Sequence, residues 1–351
     1  MPKYTPFQRF RSHVAVQRPA SIDLSKRCSV LAAASALAML GAQVLVASAA
    51  RAQSGWPSKP IRIVVPFPPG GGADVAARVL ATHLSNAVGQ PVVVENRAGA
   101  DGAIAAQEVI RSSPDGHTIY FGTASSMSYV PSVRKTPPYD PVADFTPITD
   151  FCTFTFFWAV HESVPAKTLD EFVRYARANP GKVSYGSGNS TGIVATAQLA
   201  LTAGLDMVHV PYKGEAQAAL DLGTGRIQAM FATPTITNTL TSTGRVKLVA
   251  VLLPKRSPLH PDVPTMAEAG QPLVDIKPWG GFFGPAKLPE PIANRLSQEL
   301  NAVFRKAEMR EAMDKHALAM HGSTPTELGQ FVRQQLASWS KTIGEAKLQI
   351  D

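Results

Sequence analysis

Ile61-Arg62-Ile63-Val64-Val65-Pro66-Phe67-Pro68-Pro69-Gly70-Gly71-Gly72-Ala73-Asp74 sets the pattern from which the rest of the chain can be read: an apolar β-type run, a glycine-rich loop, then a helix. Beyond the loop, Val75, Val79, Leu80, Leu84 and Val88 recur at spacings of three and four, which puts them on one helical face. Residues 92–95 read as a second strand, 103–111 as a second helix, and 117–122 as a third strand after the turn Pro114-Asp115-Gly116. Strands alternating with helices in units of this size predict a parallel sheet with right-handed crossovers.

Further on, residues 151–160 are strongly β-prone, and Thr168 with Glu171 has the form of a capping box that starts a helix ending at Asn179-Pro180-Gly181. A second strand, loop and helix then follows at 183–185, 186–192 and 193–202. Further elements are expected at 207–210 (strand), 216–222 (helix), 229–232 (strand) and 246–253 (strand). The Pro- and Gly-rich stretch 254–291, with Trp279-Gly280-Gly281-Phe282-Phe283, reads as a return connection. Only helices are expected after it, one with the stripe Ile292, Leu296, Leu300 and Phe304 and a last one capped by Thr324 and Glu327. A helical tail without its own sheet must pack on an earlier one, and the first sheet is assigned.

Two loops stand between a strand and a helix start, where backbone N–H groups are unpaired and carry partial positive charge. In the first, Gly70, Gly71 and Gly72 allow close backbone approach, and an anion is favoured at the helix that opens with Ala73. The other reading is that Pro and Gly simply shape a tight turn there; no Gly-Lys-Ser/Thr follows, so it is not a nucleotide loop. Asp74 serves the helix as a first-turn acid with Arg78 four residues on, or meets the ligand directly. In the second loop, Ser187, Gly188, Asn189, Ser190, Thr191 and Gly192 offer many neutral donors, the kind of nest that holds a carboxylate without a full counter-charge. Lys213 either lends charge to this site or is a solvated loop lysine.

The chain has 351 residues, enough for two domains, with 45% apolar and 17% charged residues. Its net charge of +8 sits mostly in residues 1–52, which hold seven Lys/Arg and one acid; the remainder holds 27 basic and 25 acidic residues. That balance lacks the basic footprint of a nucleic-acid binder. The first 52 residues read as an export signal: a basic stretch ending at Lys26-Arg27, an apolar run over 29–46, and Ala50-Arg51-Ala52 as a cleavage site. The apolar run is short for a membrane span. Cys152 is then the one thiol of the mature chain, which leaves no internal disulfide and no cysteine zinc site, and the histidines show no metal spacing. Gly188-Asn189-Ser190-Thr191-Gly192 matches the G-x-S-x-G elbow of serine hydrolases, with Asp206, Asp221, Asp262, His209, His260, His316 and His321 downstream. The loop is richer in glycine than such an elbow, and a His-Gly-Gly-Gly oxyanion motif is missing. Phe154, Phe156, Phe157 and Trp158 read as a buried strand, with an aromatic binding box as the other reading.

In order along the chain come Trp56-Pro57-Ser58-Lys59-Pro60-Ile61, Val64-Val65-Pro66-Phe67-Pro68-Pro69-Gly70-Gly71 with Asp74 and Arg78, Val94-Glu95-Asn96-Arg97-Ala98-Gly99-Ala100, and Tyr139-Asp140-Pro141 with Asp144-Phe145-Thr146-Pro147-Ile148. His209-Val210-Pro211-Tyr212-Lys213-Gly214 and Pro261-Asp262-Val263-Pro264-Thr265 with Glu268-Ala269-Gly270 complete the series. With these motifs the chain resembles receptors of the Bug type, the solute-binding component of tripartite tricarboxylate transporters. The resemblance implies an α/β type II periplasmic binding protein: a monomer of two lobes joined by crossing strands near 148–154 and 274–283, with a ligand in the cleft. Lobe 1 would comprise 53–152 and 276–351, and lobe 2 residues 153–275. It implies a receptor and not an enzyme, with no cofactor, a small organic acid as ligand, and membrane transporter subunits or a membrane sensor as partner. Phe67, Pro69, Gly70, Gly71, Gly72, Ala73 and Asp74 would meet the ligand from lobe 1, joined by Thr123 and Ser125. Ser187, Gly188, Asn189, Ser190, Thr191 and Lys213 would meet it from lobe 2, through backbone N–H groups and ordered water. Two departures fall at the site. Ile193-Val194-Ala195 stands where relatives often have His-Leu-Ala, and Gly122-Thr123-Ala124-Ser125-Ser126-Met127 where many have Thr or Ser with His. The cleft is accordingly expected to be less polar, with a monocarboxylate, aromatic acid or amide as open as a tricarboxylate.

Overall fold

β1 (Ile61–Val65) is buried along nearly its whole length because elements cover both faces of its sheet, and its run of branched apolar residues is the composition such a position requires. The computed structural model of the chain describes residues 55–271, 276–346 and Leu348; the expected export signal and its cleavage site lie outside them. From β1 the chain turns through the glycine loop into α1 (Gly72–Val88), which lays Ala73, Ala76, Ala77, Leu80, Ala81 and Leu84 against the core and ends at Gly89 in the left-handed conformation. β2 (Val92–Asn96), α2 (Ala103–Ile110) and β3 (Thr118–Thr123) follow. A π-helical turn, Ser125–Tyr129, then leads through α3 (Val130–Val133) to β4 (Phe145–Thr153).

The second sheet begins at β5 (Phe157–His161) and continues with α4 (Leu169–Ala178), β6 (Ser184–Ser187), α5 (Ser190–Ala203) and β7 (Val208–Pro211). It is completed by α6 (Glu215–Gly223), β8 (Ala229–Ala232), α7 (Pro234–Ser242) and β9 (Val246–Val251). The chain then returns as β10 (Trp279–Pro285) and finishes with α8 (Glu290–Phe304), α9 (Ala307–Asp314), the short β11 (Ala319–Met320) and α10 (Pro325–Glu345).

The strand orders are β11-β4-β10-β3-β1-β2 and β7-β6-β8-β5-β9. The sequence reading of parallel sheets holds only for β2-β1-β3 and β7-β6-β8. β10 pairs antiparallel with both β3 and β4, and β5 antiparallel with both β8 and β9. The geometry leaves little choice. β1 and β3 end at the face toward the second sheet, whereas β10 arrives from that side and must run away from it.

Four further expectations change. Residues 151–160 are not one strand: β4 stops at Thr153 in the first sheet, and β5 starts at Phe157 in the second. Residues 154–156 carry the chain between them, beside the returning segment, with Phe154 N–H donating to Pro278 O at 2.7 Å. Trp279 to Phe283 is a central strand rather than a connection. The helix expected from residue 193 begins at Ser190, and α7 and β11 were not expected at all.

The tail packs on the first sheet as expected, and its short β11 joins that sheet at its edge beside β4. Phe121 (β3), Phe151 (β4), Phe282 (β10) and Phe304 (α8) form one ring cluster, with centroids 5.1 Å apart for Phe121–Phe282 and 5.0 Å for Phe151–Phe304. Each is at most 1% exposed, and burying such a ring contributes about 2–3 kcal/mol. α10 carries a complete capping box, in which Thr324 Oγ1 accepts from Glu327 N–H and Glu327 Oε2 accepts from Thr324 N–H. α4 has half of one: Glu171 Oε2 takes the N–H of Lys167 instead of that of Thr168.

Candidate functional site

Asp74 organises the first loop. Its Oδ2 accepts the N–H of Gly70 at 3.0 Å, its Oδ1 accepts from Asn96 Nδ2 at 2.9 Å, and Arg78 Nε donates to both oxygens. Burial works to raise this carboxyl's pKa, but the Arg78 guanidinium, the Gly70 N–H and the Asn96 amide outweigh it and hold Asp74 below the ordinary carboxylate range. Gly70 sits at φ +89°, a conformation costly for any side chain, and this turns the chain so that α1 starts at Gly72. The N–H groups of Gly71, Gly72 and Ala73 lie ahead of the first intrahelical bond, which Val75 makes to Gly71 O.

Asn189 caps α5 from the facing side. Its Oδ1 accepts the N–H of Gly192 at 2.9 Å, and its Nδ2 donates to Glu215 Oε1 at 2.8 Å. Glu215 Oε2 in turn accepts from Thr233 N–H and from Thr233 Oγ1. Burial raises the pKa of the Glu215 carboxyl, and its hydrogen bonds to Thr233 and Asn189 oppose that shift without cancelling it. Gly188 is obligatory for packing: a Cβ there would lie 2.3 Å from Glu215 N.

The two sides meet. Ser190 Oγ donates to Ser125 Oγ at 2.5 Å, and a Cβ on Gly72 would stand 3.1 Å from Thr233 Oγ1. Between them lies a cavity of about 190 Å³. Its apolar wall is Phe67, Pro68, Phe154, Phe156, Pro278 and Trp279, and its polar lining comes from Gly71 to Ala73, Thr123, Ser125, Gly188, Asn189, Thr191, Gly214 to Gln217 and Thr233. α1, α5, α6 and α7 all begin in this lining or directly after one of its residues. Thr123 Oγ1 is buried against it and has no hydrogen-bond partner among the described residues. No lysine, arginine or histidine lines the cavity among those residues.

Of the residues expected at the ligand, Phe67, Pro69, Gly71, Gly72, Ala73, Thr123, Ser125, Gly188, Asn189 and Thr191 line the cavity. Gly70 and Asp74 stand behind the first loop, where they shape it. Ser187 Oγ is bonded to His209 Nε2 at 2.5 Å, away from the cavity. Lys213 is exposed, and Ser190 Oγ is taken up by Ser125 with no histidine beside it among the described residues. Sequence reasoning missed Trp279, Thr233 and Glu215, and it read Phe154 and Phe156 as strand core. The one available signal was the aromatic run 154–158, half of which faces the cavity while Phe157 and Trp158 are core. Among the described residues, no group of three or more His, Cys, Asp or Glu converges as a metal site would.

The family model described as "Tripartite tricarboxylate transporter family receptor" matches residues 76–348. The chain is 35% identical over 315 residues to a UPF0065 protein from the tcbD-tcbE intergenic region of Pseudomonas sp. (strain P51), covering 88% of this chain and 93% of that protein. The solved periplasmic binding protein BugD is 30% identical, with a TM-score of 0.79 over 84% of this chain and 99% of its own. Rpa4515 of R. palustris, solved with adipate, is 30% identical with a TM-score of 0.80, over 83% of this chain and 98% of its own.

Proposed function

We propose, given that the chain belongs to the tripartite tricarboxylate transporter receptor family, that it is a periplasmic solute receptor which captures a small organic carboxylate between its two lobes and hands it to a transporter of that type. Lobe 1 is taken as 53–152 with 276–351, lobe 2 as 153–275, and the receptor as a monomer exported by cleavage near Ala52. The observation that carries this reading is the cavity where helices from both sheets begin, with Thr123 Oγ1 buried in its lining and unpartnered among the described residues. Opposed N–H groups can replace the water shell of a carboxylate that neither lobe would hold alone. Adipate in the related Rpa4515 supports an organic acid as the solute class.

In the working cycle the ligand carboxylate first meets the N–H groups at Gly71, Gly72 and Ala73. Lobe 2 then closes with the loop from Gly188 to Thr191, and the contacts made only in the closed state drive the hinge. Titration calorimetry of the mature protein against a panel of small mono-, di- and tricarboxylates tests this, with micromolar or tighter binding of at least one acid expected. If no acid binds while an ester or amide is turned over, the receptor reading fails and a hydrolase using Ser190 replaces it.

A further inference from the structure

Four helices start at the cavity, and one of them brings its own anion. α1, α5, α6 and α7 each turn a partial positive charge of roughly half an elementary charge toward the lining. The first residue of α6 is Glu215, 9% exposed, and its carboxyl is tied to Asn189 and Thr233, which both line the cavity. Burial pushes this carboxyl's pKa up, but both its oxygens accept hydrogen bonds, from Asn189 and twice from Thr233, and those three donors with the helix start favour the ionised form at neutral pH. Thr233 also stands against Gly72, so the Glu215 charge lies close to the start of α1 as well as at that of α6.

We infer that Glu215 is the specificity-determining residue of this site and restricts it to solutes with a single negative charge, carboxylates whose second polar group is uncharged, such as a carboxamide. The inference rests on the receptor reading above and sharpens it. The four helix starts offer roughly two positive charges, and Glu215 withdraws about one of them. One ligand carboxylate is then matched. A second would enter a wall that holds a buried negative charge and, among its described residues, no cationic side chain. The acceptors suit the alternative: Glu215 Oε1 receives one hydrogen bond, from Asn189, and has capacity for an amide N–H. Phe67, Phe154, Phe156 and Trp279 supply an apolar surface for an uncharged body.

The test uses isosteric pairs that differ only in charge: succinate, adipate and terephthalate, each titrated against its half-amide. For every body that binds, the half-amide is expected to bind at least about tenfold more tightly, equivalent to about 1.4 kcal/mol. In Glu215→Gln the preference is expected to fall below about threefold while the fold, checked by circular dichroism, is kept. A purely structural role would lower both affinities and leave their ratio alone. A di-acid that binds wild-type protein as tightly as its half-amide overturns the inference while leaving the receptor reading intact, and so does an unchanged ratio in Glu215→Gln. If none of the six binds, nor any other acid of the wider panel, the receptor reading itself falls and this inference with it.

Discussion

Ser190 at the start of α5 donates its hydroxyl to Ser125, two residues beyond β3, so that two side chains 65 positions apart in sequence join the two lobes directly across the cleft. Both are at most 3% exposed. In the proposed cycle each is hydrated while the cleft is open, so the pair's free energy would add to the closed state alone. A buried neutral hydrogen bond of this kind contributes about 1 kcal/mol.

Ser190→Ala should therefore weaken binding of the cognate acid about three- to tenfold, mainly through faster release, while leaving thermal stability within about 1 kcal/mol of wild type. Calorimetry and small-angle scattering, with and without ligand, check it. Unchanged affinity in both Ser190→Ala and Ser125→Ala would remove the pair from any role in closure.

Thr123→Val is expected to do the opposite to stability and binding. The Thr123 hydroxyl is buried without a partner in the described residues, so replacing it with a methyl should leave stability unchanged or slightly higher. If the hydroxyl meets the solute, affinity should drop about fivefold or more. Retention of full affinity would show that Thr123 lines the cavity without touching the ligand.

Asp74→Asn should cost about 1–3 kcal/mol at neutral pH, because the new amide N–H₂ cannot accept from Gly70, Asn96 and Arg78 together. The Asp74 pKa is lowered on folding, so the stability it supplies is present above the unfolded-state value of 3.8 and is lost as pH falls through the folded-state value. Urea denaturation across this range should show the wild type's advantage over the variant shrinking below pH 3.8. An advantage that stays constant down to complete acid unfolding would contradict the assignment.

Gly188→Ala should destabilise by about 3 kcal/mol, since backbone atoms of Gly214 and Glu215 stand where the methyl would go and the end of β6 must move away from α6. Gly344→Ala in α10 is the matched control. Its Cβ would meet nothing within 4 Å, and a gain of up to about 1 kcal/mol from helix propensity is expected. Similar melting temperatures for the two variants would mean that the packing at Gly188 is looser than described.

Local chemistry accounts for the elements that could be read in advance. The strand, loop and helix at 61–88, the cap at Thr324 and the stripe Ile292, Leu296, Leu300, Phe304 depend on residues within one or two turns of each other, and all form where expected. Two misreadings have different causes. Phe154 and Phe156 look like core because their neighbours are, and only the passage of the chain from one sheet to the other turns them to the cavity. Gly70 and Asp74 have the composition of a ligand loop, yet their polar groups are spent on each other.

Taken alone, then, the order of residues determined most of the segments that become strands and helices, where the two glycine loops stand, and that both precede helix starts able to favour an anion. It did not determine that β10 runs backwards through the middle of the first sheet, that Trp279 and Thr233 line the same cavity as Gly72, or that Glu215 is buried at its wall. The reason is physical. Helix starts and turns are paid for by neighbours in sequence, whereas burial, desolvation and the facing of two loops are properties of distance in space, set only when both sheets have packed.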